Sequence, residues 1–354
     1  MTISSYEQSY LLLAFPFLTG EVFSAFTSVN DINCNNLPIT INTDTVLDGP
    51  VDLTGCQDRN IVVFKIENDS TLDCNGHSIT DKGYFIDYGQ GVTALSTSTA
   101  IHVNGGATIM NCHINQFYEG IFRDGDNSNG SELTIKDSTF NDIHTGIDVK
   151  AAFAGLPQNV NVRVENCQMN EVIFGGVGIT GTSATVHVED TVIHGTTSTD
   201  SDNGAWGIST SGNEAATSLT VRNSKFSGFD DAITVGQKTG FVEIANIDAD
   251  GCGIALEDDV ENFWISSSRI TDSPLYGLSF FFAAFGRIRF FDVSICGTQS
   301  NRPDLQFYNI DTTMGQPNIT GFATCNRAID FEDGIGDDVT SEYCISACSV
   351  SIGR

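Results

Sequence analysis

Basic residues are scarce in this chain of 354 residues, where 16 Lys and Arg stand against 45 Asp and Glu and the formal net charge is -29. A surface of that sign repels phosphate backbones and anionic lipid headgroups, and no run of Lys or Arg offers a local exception. The sequence also lacks any stretch approaching the roughly 18 uninterrupted apolar residues that a membrane span requires. We therefore expect neither nucleic-acid binding nor a membrane span.

Several chemical signatures are missing as well. There is no CxxC pair, so Cys344 and Cys348 lack the second pair that a zinc site needs. Neither GxSxG nor a phosphate-binding glycine loop occurs. The ten cysteines instead indicate disulfides in an oxidising compartment. We expect Cys34 to pair with Cys56, and Cys325, Cys344 and Cys348 to staple the C-terminal end.

An apolar segment near the start indicates export. Tyr10–Leu18 is too short to span a bilayer, and it precedes the small residues Ser24 and Ala25, where a signal peptidase can cut. The flank before it carries Glu7 and no Lys or Arg, so a capping N-terminus is the alternative interpretation. We predict a signal peptide at residues 1–25 and a secreted or cell-wall glycoprotein. Three sequons agree with this compartment, and they begin at Asn68, Asn129 and Asn318.

Internal repetition organises the middle of the chain. Eight segments such as ATIMNCHI and LTIKDSTF align on a polar residue that recurs on average about every 26 residues, which is one coil of a solenoid. The residues two before and three after it are always apolar. The polar column consists of Asn111, Asp137, Asn166, Asp190, Asn223, Asn246, Ser267 and Asp292.

Apolar and polar residues alternate within each segment, which indicates strands with one buried face. A second short strand follows in each repeat, usually after a glycine that permits a tight bend, as at Gly120-Ile121 and Gly207-Ile208. No helical pattern of ten or more residues separates these strands, so we predict coils stacked about 4.8 Å apart. The polar column is then expected at bends, where its side chains bond backbone groups and one another, and its role is structural.

The repeat resembles the right-handed parallel β-helix proteins of the pectin-lyase-like class, which include pectate lyases, polygalacturonases, epimerases and NosD-type proteins. The segment Leu72–Ile79, LDCNGHSI, is similar to the LDxNGHxI signature of their opening coils. The resemblance covers roughly residues 34–300 and implies an all-β solenoid of about ten coils with disulfide-stapled caps. We assign residues 26–60 to the N-terminal cap and first coils, 61–296 to the β-helix and 297–354 to the C-terminal cap.

Adjacent aspartates form the sharpest local signal. Asp230 and Asp231, followed by Ala232-Ile233, resemble the DD(C/A)I element of polygalacturonases, in which paired carboxylates serve as acid and base. That family also has Asn-x-Asp, Gly-His-Gly and Arg-x-Lys elements, which this sequence does not present in the expected order. Glycoside hydrolysis is therefore less expected than polysaccharide lyase or epimerase chemistry.

Uronate elimination or epimerisation needs a cation, a base and a proton donor. Lys225 and Arg269 fall in one column two coils apart, so roughly 10 Å separates them. We assign them, with Asp230 and Asp231, as catalytic candidates, and Tyr276 as a possible proton donor. The alternative is that both cations only offset nearby carboxylates on an acidic surface.

Acidic and aromatic residues interleave just before the glycine motifs. Aromatic rings stack on pyranose faces and carboxylates accept hydrogen bonds from sugar hydroxyls, so this column predicts a glycan groove. The alternative is that the aromatic rings are packing filler. The substrate-binding candidates are Glu119, His144, Trp206 and Tyr276.

A second acidic cluster suits calcium. Glu257, Asp258 and Asp259 provide dense hard oxygen ligands, as Ca²⁺ prefers, although acidic loops are often only solvated. Two hypotheses for function remain: a carbohydrate-active or polysaccharide-binding protein, and a non-catalytic wall protein that uses the solenoid as an adhesive rod. We expect a monomer in either case.

Overall fold

The computed structural model describes residues 27–29, 32–56, 60–83, 97–124, 131–150, 160–180, 184–196, 205–211, 217–236, 239–257, 260–281, 286–298, 302–308, 318–332 and 335–348. These residues form 33 β-strands and one four-residue helix, so the protein is all-β. The predicted signal peptide and the residues Asn129, Asp258 and Asp259 lie outside the described residues. Within the described part, no helix is long and apolar enough to cross a membrane.

Three stacks of parallel strands run through the structure, and each strand pairs with its equivalents in the neighbouring repeats. We call them ladders 1, 2 and 3. Ladder 1 contains the strands that precede the polar column. Its members are β1 (Thr27–Val29), β3 (Thr45–Leu47), β6 (Thr71–Asp73), β9 (Ala107–Met110), β12 (Glu132–Lys136), β14 (Val160–Glu165), β16 (Ala184–Glu189), β19 (Thr217–Arg222), β22 (Thr239–Ala245), the first parts of β25 (Val260–Thr271) and β27 (Arg287–Cys296), and β29 (Asn318–Thr320).

Ladder 2 contains the short strands that follow the polar column. Its members are β4 (Val51–Asp52), β7 (Ser78–Thr80), β10 (His113–Asn115), the first parts of β13 (Thr139–Lys150) and β15 (Gln168–Thr180), β17 (Val192–Gly195), β20 (Lys225–Ser227), β23 (Asp248–Asp250), the second parts of β25 and β27, β30 (Ala323–Thr324) and β33 (Cys344–Ser346).

Ladder 3 contains the strands that follow the glycine motifs. Its members are β2 (Ile39–Ile41), β5 (Val62–Glu67), β8 (Thr99–Asn104), β11 (Glu119–Asp124), the second parts of β13 and β15, β18 (Trp206–Ser211), β21 (Asp231–Val235), β24 (Gly253–Glu257), β26 (Leu278–Phe281), β28 (Leu305–Tyr308) and β31 (Ala328–Glu332). At the C-terminal end, β32 (Ile335–Asp338) pairs antiparallel with β31, and the helix α1 (Thr340–Tyr343) follows it.

The polar column lies at the bend between ladders 1 and 2, as predicted. All eight of its residues have left-handed backbone conformations, with φ between 48° at Ser267 and 56° at Asn111. Asn and Asp adopt this conformation at lower cost than other side chains that carry a Cβ. Neighbouring members also bond each other: the Nδ2 of Asn246 donates to the Oδ1 of Asn223 at 2.9 Å. The sequence therefore places Asn or Asp there for both backbone and side-chain reasons.

The two apolar columns form the core. Residues of the first column, from Ile109 to Phe290, are at most 5% exposed, and residues of the second column, from Ile114 to Ile295, are fully buried or within 1% of it. Period-two alternation directs these side chains to one side of each strand, where they pack on their equivalents above and below. Burial of this continuous apolar column is the main stabilising contribution to the fold.

Hydroxyl groups link the repeats inside the bend. The residue after each polar-column member points inward, and at Ser138, Thr191, Ser224 and Ser268 its hydroxyl donates to the backbone carbonyl two residues earlier. The same oxygen accepts a backbone N–H from the preceding repeat, as between the amide of Thr191 and the Oγ of Ser224 at 3.3 Å. Each of these four buried hydroxyls thus donates one hydrogen bond and accepts another.

Close packing between the backbones of neighbouring repeats requires glycine at Gly120 and Gly146, which lie within strands β11 and β13. A Cβ placed on Gly146 would lie 2.6 Å from the carbonyl oxygen of Gly176 in the next repeat, and Gly120 faces Gly146 in the same way. Neither glycine has a positive φ. The expectation that these glycines serve a tight bend is therefore replaced by a steric reason: the neighbouring repeat leaves no room for a side chain.

Four disulfides lie towards the two ends of the chain. Cys34 bonds Cys56, as predicted, and Cys325 bonds Cys344. The other two bonds are Cys74–Cys112 and Cys296–Cys348. Cys167 and Cys252, in the middle of the chain, are free and buried.

Candidate functional site on the outer face of ladder 3

The residues of the predicted acidic and aromatic column pair in register from repeat to repeat. Along ladder 3, Glu119 pairs with Thr145, Thr145 with Gly175, Gly175 with Trp206, and Trp206 with Asp231. Residues far apart in the sequence are therefore vertical neighbours at about 4.8 Å per repeat. Trp206 and Asp231 are thereby brought together.

Trp206 lies flat across a strand that has no side chains beneath the ring. A Cβ on Gly175 would collide with three carbons of the indole six-membered ring, and a Cβ on Gly178 would lie 2.6 Å from its Cη2 atom. The indole therefore leans back over β15, with one ring face against the backbone, and is half-buried. Gly175 and Gly178 therefore leave the room that the indole occupies.

Asp231 and Tyr276 form a half-buried hydrogen-bonded pair, and Asp231 is the register partner of Trp206. The Tyr276 hydroxyl donates to the Oδ1 of Asp231 at 3.1 Å. Burial raises the pKa of Asp231 to about 6; the Tyr276 hydrogen bond opposes this shift, while the charges of Asp230 and Glu257 add to it. Burial, followed by the charge of Asp231, raises the pKa of Tyr276 far above its ordinary value, so its hydroxyl stays protonated. The pair joins a carboxyl that titrates near neutrality to a permanent proton donor.

His144 belongs to an aromatic stack whose ring faces are occupied. It stacks on Tyr118 with ring centroids 4.4 Å apart and on Phe174 at 5.3 Å, and Phe174 meets Trp206 edge-on at 5.8 Å. Burial lowers the pKa of His144 to about 4, so the imidazole is neutral at physiological pH. His144 therefore stacks on two rings, whereas Tyr118 and Phe174 each stack on His144.

Glu119 lies in the same column but not in the same cluster. Its carboxylate accepts a hydrogen bond from the Thr99 hydroxyl at 2.9 Å, and burial raises its pKa in spite of that bond. Four repeats separate it from Asp231, or roughly 19 Å. Glu119 and Asp231 therefore cannot act as partners on one glycosidic bond.

Lys225 and Arg269 lie on ladder 2 rather than on ladder 3. Lys225 pairs in register with Asp248 and Asp248 with Arg269, so the two cations are two repeats apart, as predicted. The Nε and Nη2 of Arg269 donate to the two carboxylate oxygens of Asp248 at 2.9 and 3.0 Å. Among the described residues, no hydrogen bond or ion pair joins either cation to Asp231. The structure thus divides the four catalytic candidates between two ladders.

Of the three candidate calcium ligands, only Glu257 belongs to the described residues, because Asp258 and Asp259 lie outside them. Glu257 ends β24 and is near enough to Asp231 to affect its pKa. In the part of the chain that the structure describes, no group of three or more His, Cys, Asp or Glu residues is arranged to hold a metal ion. The role of Glu257 in metal binding stays a prediction.

The sequence analysis did not predict that Gly175 and Gly178 make room for the indole of Trp206. The signal was present in the run Phe174-Gly-Gly-Val-Gly178, which places small residues where an indole from the next repeat needs space. Comparisons of the chain with protein-family models, with curated proteins and with solved structures found no match.

Proposed function

We propose that this chain is a secreted, right-handed parallel β-helix protein of the pectin-lyase-like class that binds polysaccharide on the outer face of ladder 3. The three parallel ladders, each joined repeat to repeat, support the solenoid architecture. The four disulfides support an oxidising compartment. The LDCNGHSI segment at Leu72–Ile79 supports the class.

One observation carries the binding proposal: the half-buried indole of Trp206, which packs on glycines of β15, lies one repeat from Asp231, and Asp231 is hydrogen-bonded to Tyr276. An indole face packs against the apolar face of a pyranose ring, and a carboxylate beside it accepts hydrogen bonds from the sugar hydroxyls. Sugars along an extended glycan are spaced at roughly the repeat distance of the ladder, about 5 Å. A chain running along ladder 3 would therefore meet Trp206 and Asp231 with successive residues.

Proton transfer at this site is the second candidate function. Ionised Asp231 is suited to act as the base of a lyase or epimerase by accepting the proton alpha to a uronate carboxylate. Tyr276 is the candidate acid by position, although burial makes its hydroxyl a weaker acid than an ordinary tyrosine. That chemistry also needs a cation for the uronate carboxylate. Arg269 already binds Asp248 on ladder 2. A neutral glycan needs no cation in the site, so we favour a neutral glycan over a uronate as the ligand.

Affinity measurements with a polysaccharide panel test the binding proposal. Neutral glucans, mannans and galactans are compared with polygalacturonate and alginate, each with and without Ca²⁺. We expect Trp206→Ala to weaken binding about tenfold, since stacking on one aromatic face accounts for roughly that factor. The matched control is Trp264→Ala, which alters the second of the two tryptophans, on ladder 1. Equal loss in both variants, or no glycan bound at all, would refute the proposal.

The catalytic candidate is tested on the same panel by ultraviolet absorbance for unsaturated products and by an assay for new reducing ends. Catalysis predicts that Asp231→Asn and Tyr276→Phe remove product formation while they leave glycan binding within a few-fold. Binding without products in the wild-type protein would favour the adhesive-rod hypothesis instead.

A further inference from the structure

A second exposed surface lies on ladder 1 near the C-terminal end. On β27, Arg287, Arg289 and Phe291 point outward in alternation, and Phe291 is 73% exposed. Arg289 pairs in register with Trp264, and its guanidinium lies over the indole, 4.8 Å from the ring centroid. We call the set formed by Trp264, Arg287, Arg289, Phe291 and Phe322 the arginine–aromatic patch.

The apolar part of this patch spans two repeats. Thr320 pairs with Arg289 and Ala323 with Val293, so Phe322 lies at the level of Phe291 and Asp292 in the neighbouring repeat. Phe322 is 50% exposed, and Trp264 is 37% exposed. Contiguous exposed aromatic residues of this size are uncommon on a surface that contacts only water, and they indicate an interaction site.

The two arginines have no acidic partner among the described residues. Five other cations, Lys65, Lys150, Arg163, Arg222 and Arg269, each form an ion pair with a carboxylate, whereas Lys225 and Arg327 are exposed and form none in the described part of the chain. Within the described part of the chain, no carboxylate pairs with Arg287 or Arg289, although the chain carries 45 acidic residues. Arg287 and Arg289 are two positions apart on one strand, so their guanidinium groups face the same side. Residues two positions apart are roughly 6.8 Å from each other, which allows the two groups to bind neighbouring anions.

We propose that the arginine–aromatic patch is a docking surface for an acidic, aromatic-containing segment of a partner protein. Charge complementarity identifies the acidic character, since two unpaired guanidinium groups bind carboxylates in forked geometry. Arg, Trp and Phe are also the residues that carry most of the energy at protein interfaces. A glycan is disfavoured because the accessible face of Trp264 is covered by Arg289 and its edge meets Phe241 at 5.1 Å.

This surface is independent of the glycan site, because Trp206 and Asp231 lie on ladder 3. The test uses labelled polymers as probes: a random copolymer of glutamate and tyrosine, polyglutamate, polygalacturonate, and phosphatidylserine vesicles. Fluorescence anisotropy gives affinity. Emission of Trp264, measured in a Trp206→Phe background that leaves it as the sole tryptophan, reports whether the probe reaches the patch.

We expect the glutamate–tyrosine copolymer to bind most tightly and to perturb Trp264 emission. The double variant Arg287→Ser/Arg289→Ser should weaken binding at least tenfold, and Phe291→Ser about tenfold for the copolymer but much less for polyglutamate. The matched control is Arg163→Ser, which removes an exposed but ion-paired arginine of the same ladder and should change affinity less than twofold. Circular dichroism and thermal unfolding establish that each variant is folded.

Three outcomes would overturn the proposal. They are the absence of copolymer binding, an equal loss with Arg163→Ser and with the patch variants, and binding of polygalacturonate or vesicles that is tighter than that of the copolymer and is lost in Arg287→Ser/Arg289→Ser. The last outcome would assign the patch to an anionic glycan or to a lipid surface. None of these results depends on whether the Trp206 site binds glycan, so the two proposals fail separately.

Discussion

Replacing Asp231 by Asn removes a buried carboxyl group and leaves an amide oxygen that can still accept the Tyr276 hydrogen bond. The folded protein holds the pKa of Asp231 at about 6, against 3.8 for an unperturbed group. Below about pH 3 the carboxyl is neutral in both the folded and the unfolded chain. As the pH rises towards 6, the unfolded chain releases the proton first, so the folded state loses stability.

The size of this loss follows from the pKa difference. At about 1.36 kcal/mol per pH unit, a change from 3.8 to about 6 corresponds to about 3 kcal/mol of unfolding free energy, which is fully lost above about pH 7. We therefore expect the unfolding free energy of the wild type, minus that of Asp231→Asn, to fall by about 3 kcal/mol between pH 3 and pH 7.

Urea denaturation at closely spaced pH values measures this difference, because subtraction of the variant cancels the contributions of the other carboxyl groups. A second variant, Tyr276→Phe, checks the cause. The hydroxyl lowers the pKa of Asp231, so its removal should move the fall in stability to higher pH. A wild-type minus Asp231→Asn curve that is flat across this pH range would refute the argument that burial sets the pKa of this group.

Three further predictions concern the repeat. Asn223→Ala should destabilise the protein by about 2 kcal/mol, which is the sum of a lost side-chain hydrogen bond and an alanine in the left-handed conformation. Asn223→Gly should cost about half as much, because only the hydrogen bond is lost. Equal losses for the two variants on urea denaturation would contradict the backbone argument. Gly146→Ala should cost at least about 2 kcal/mol by thermal unfolding, while Gly49→Ala, with open space around it, should be near neutral; similar costs would count against the steric explanation. Ser224→Ala should cost about 1–3 kcal/mol in the same assay, because the amide of Thr191 loses its acceptor, and an unchanged melting temperature would show that this bond contributes nothing.

The spacing of the repeat was sufficient to predict vertical neighbours. Trp206 beside Asp231, and Lys225 two repeats from Arg269, follow from counting along the chain, because strands one repeat apart pair in register. The left-handed bends were also accessible, since Asn and Asp dominate the polar column for a local backbone reason.

Side-chain direction could not be predicted in the same way. The indole of Trp206 leans across β15, and Arg269 turns to Asp248, because rotamers depend on the space that neighbouring repeats leave. In the structure, Lys225 and Arg269 pair on ladder 2, whereas Asp231 pairs on ladder 3 and Asp230 directly precedes it. The four catalytic candidates therefore form one group in the sequence and two in the structure.

The distribution of the disulfides has a mechanical consequence. Cys34–Cys56 and Cys74–Cys112 fasten one end, and Cys296–Cys348 and Cys325–Cys344 fasten the other, whereas both cysteines of the central stretch are unpaired. If the molecule is pulled by its termini, the chain between Cys112 and Cys296 is free to unravel and lengthen by roughly 3.4 Å per residue, while the fastened ends hold. Under load, the middle of the chain is therefore expected to lengthen before the two disulfide-bonded ends.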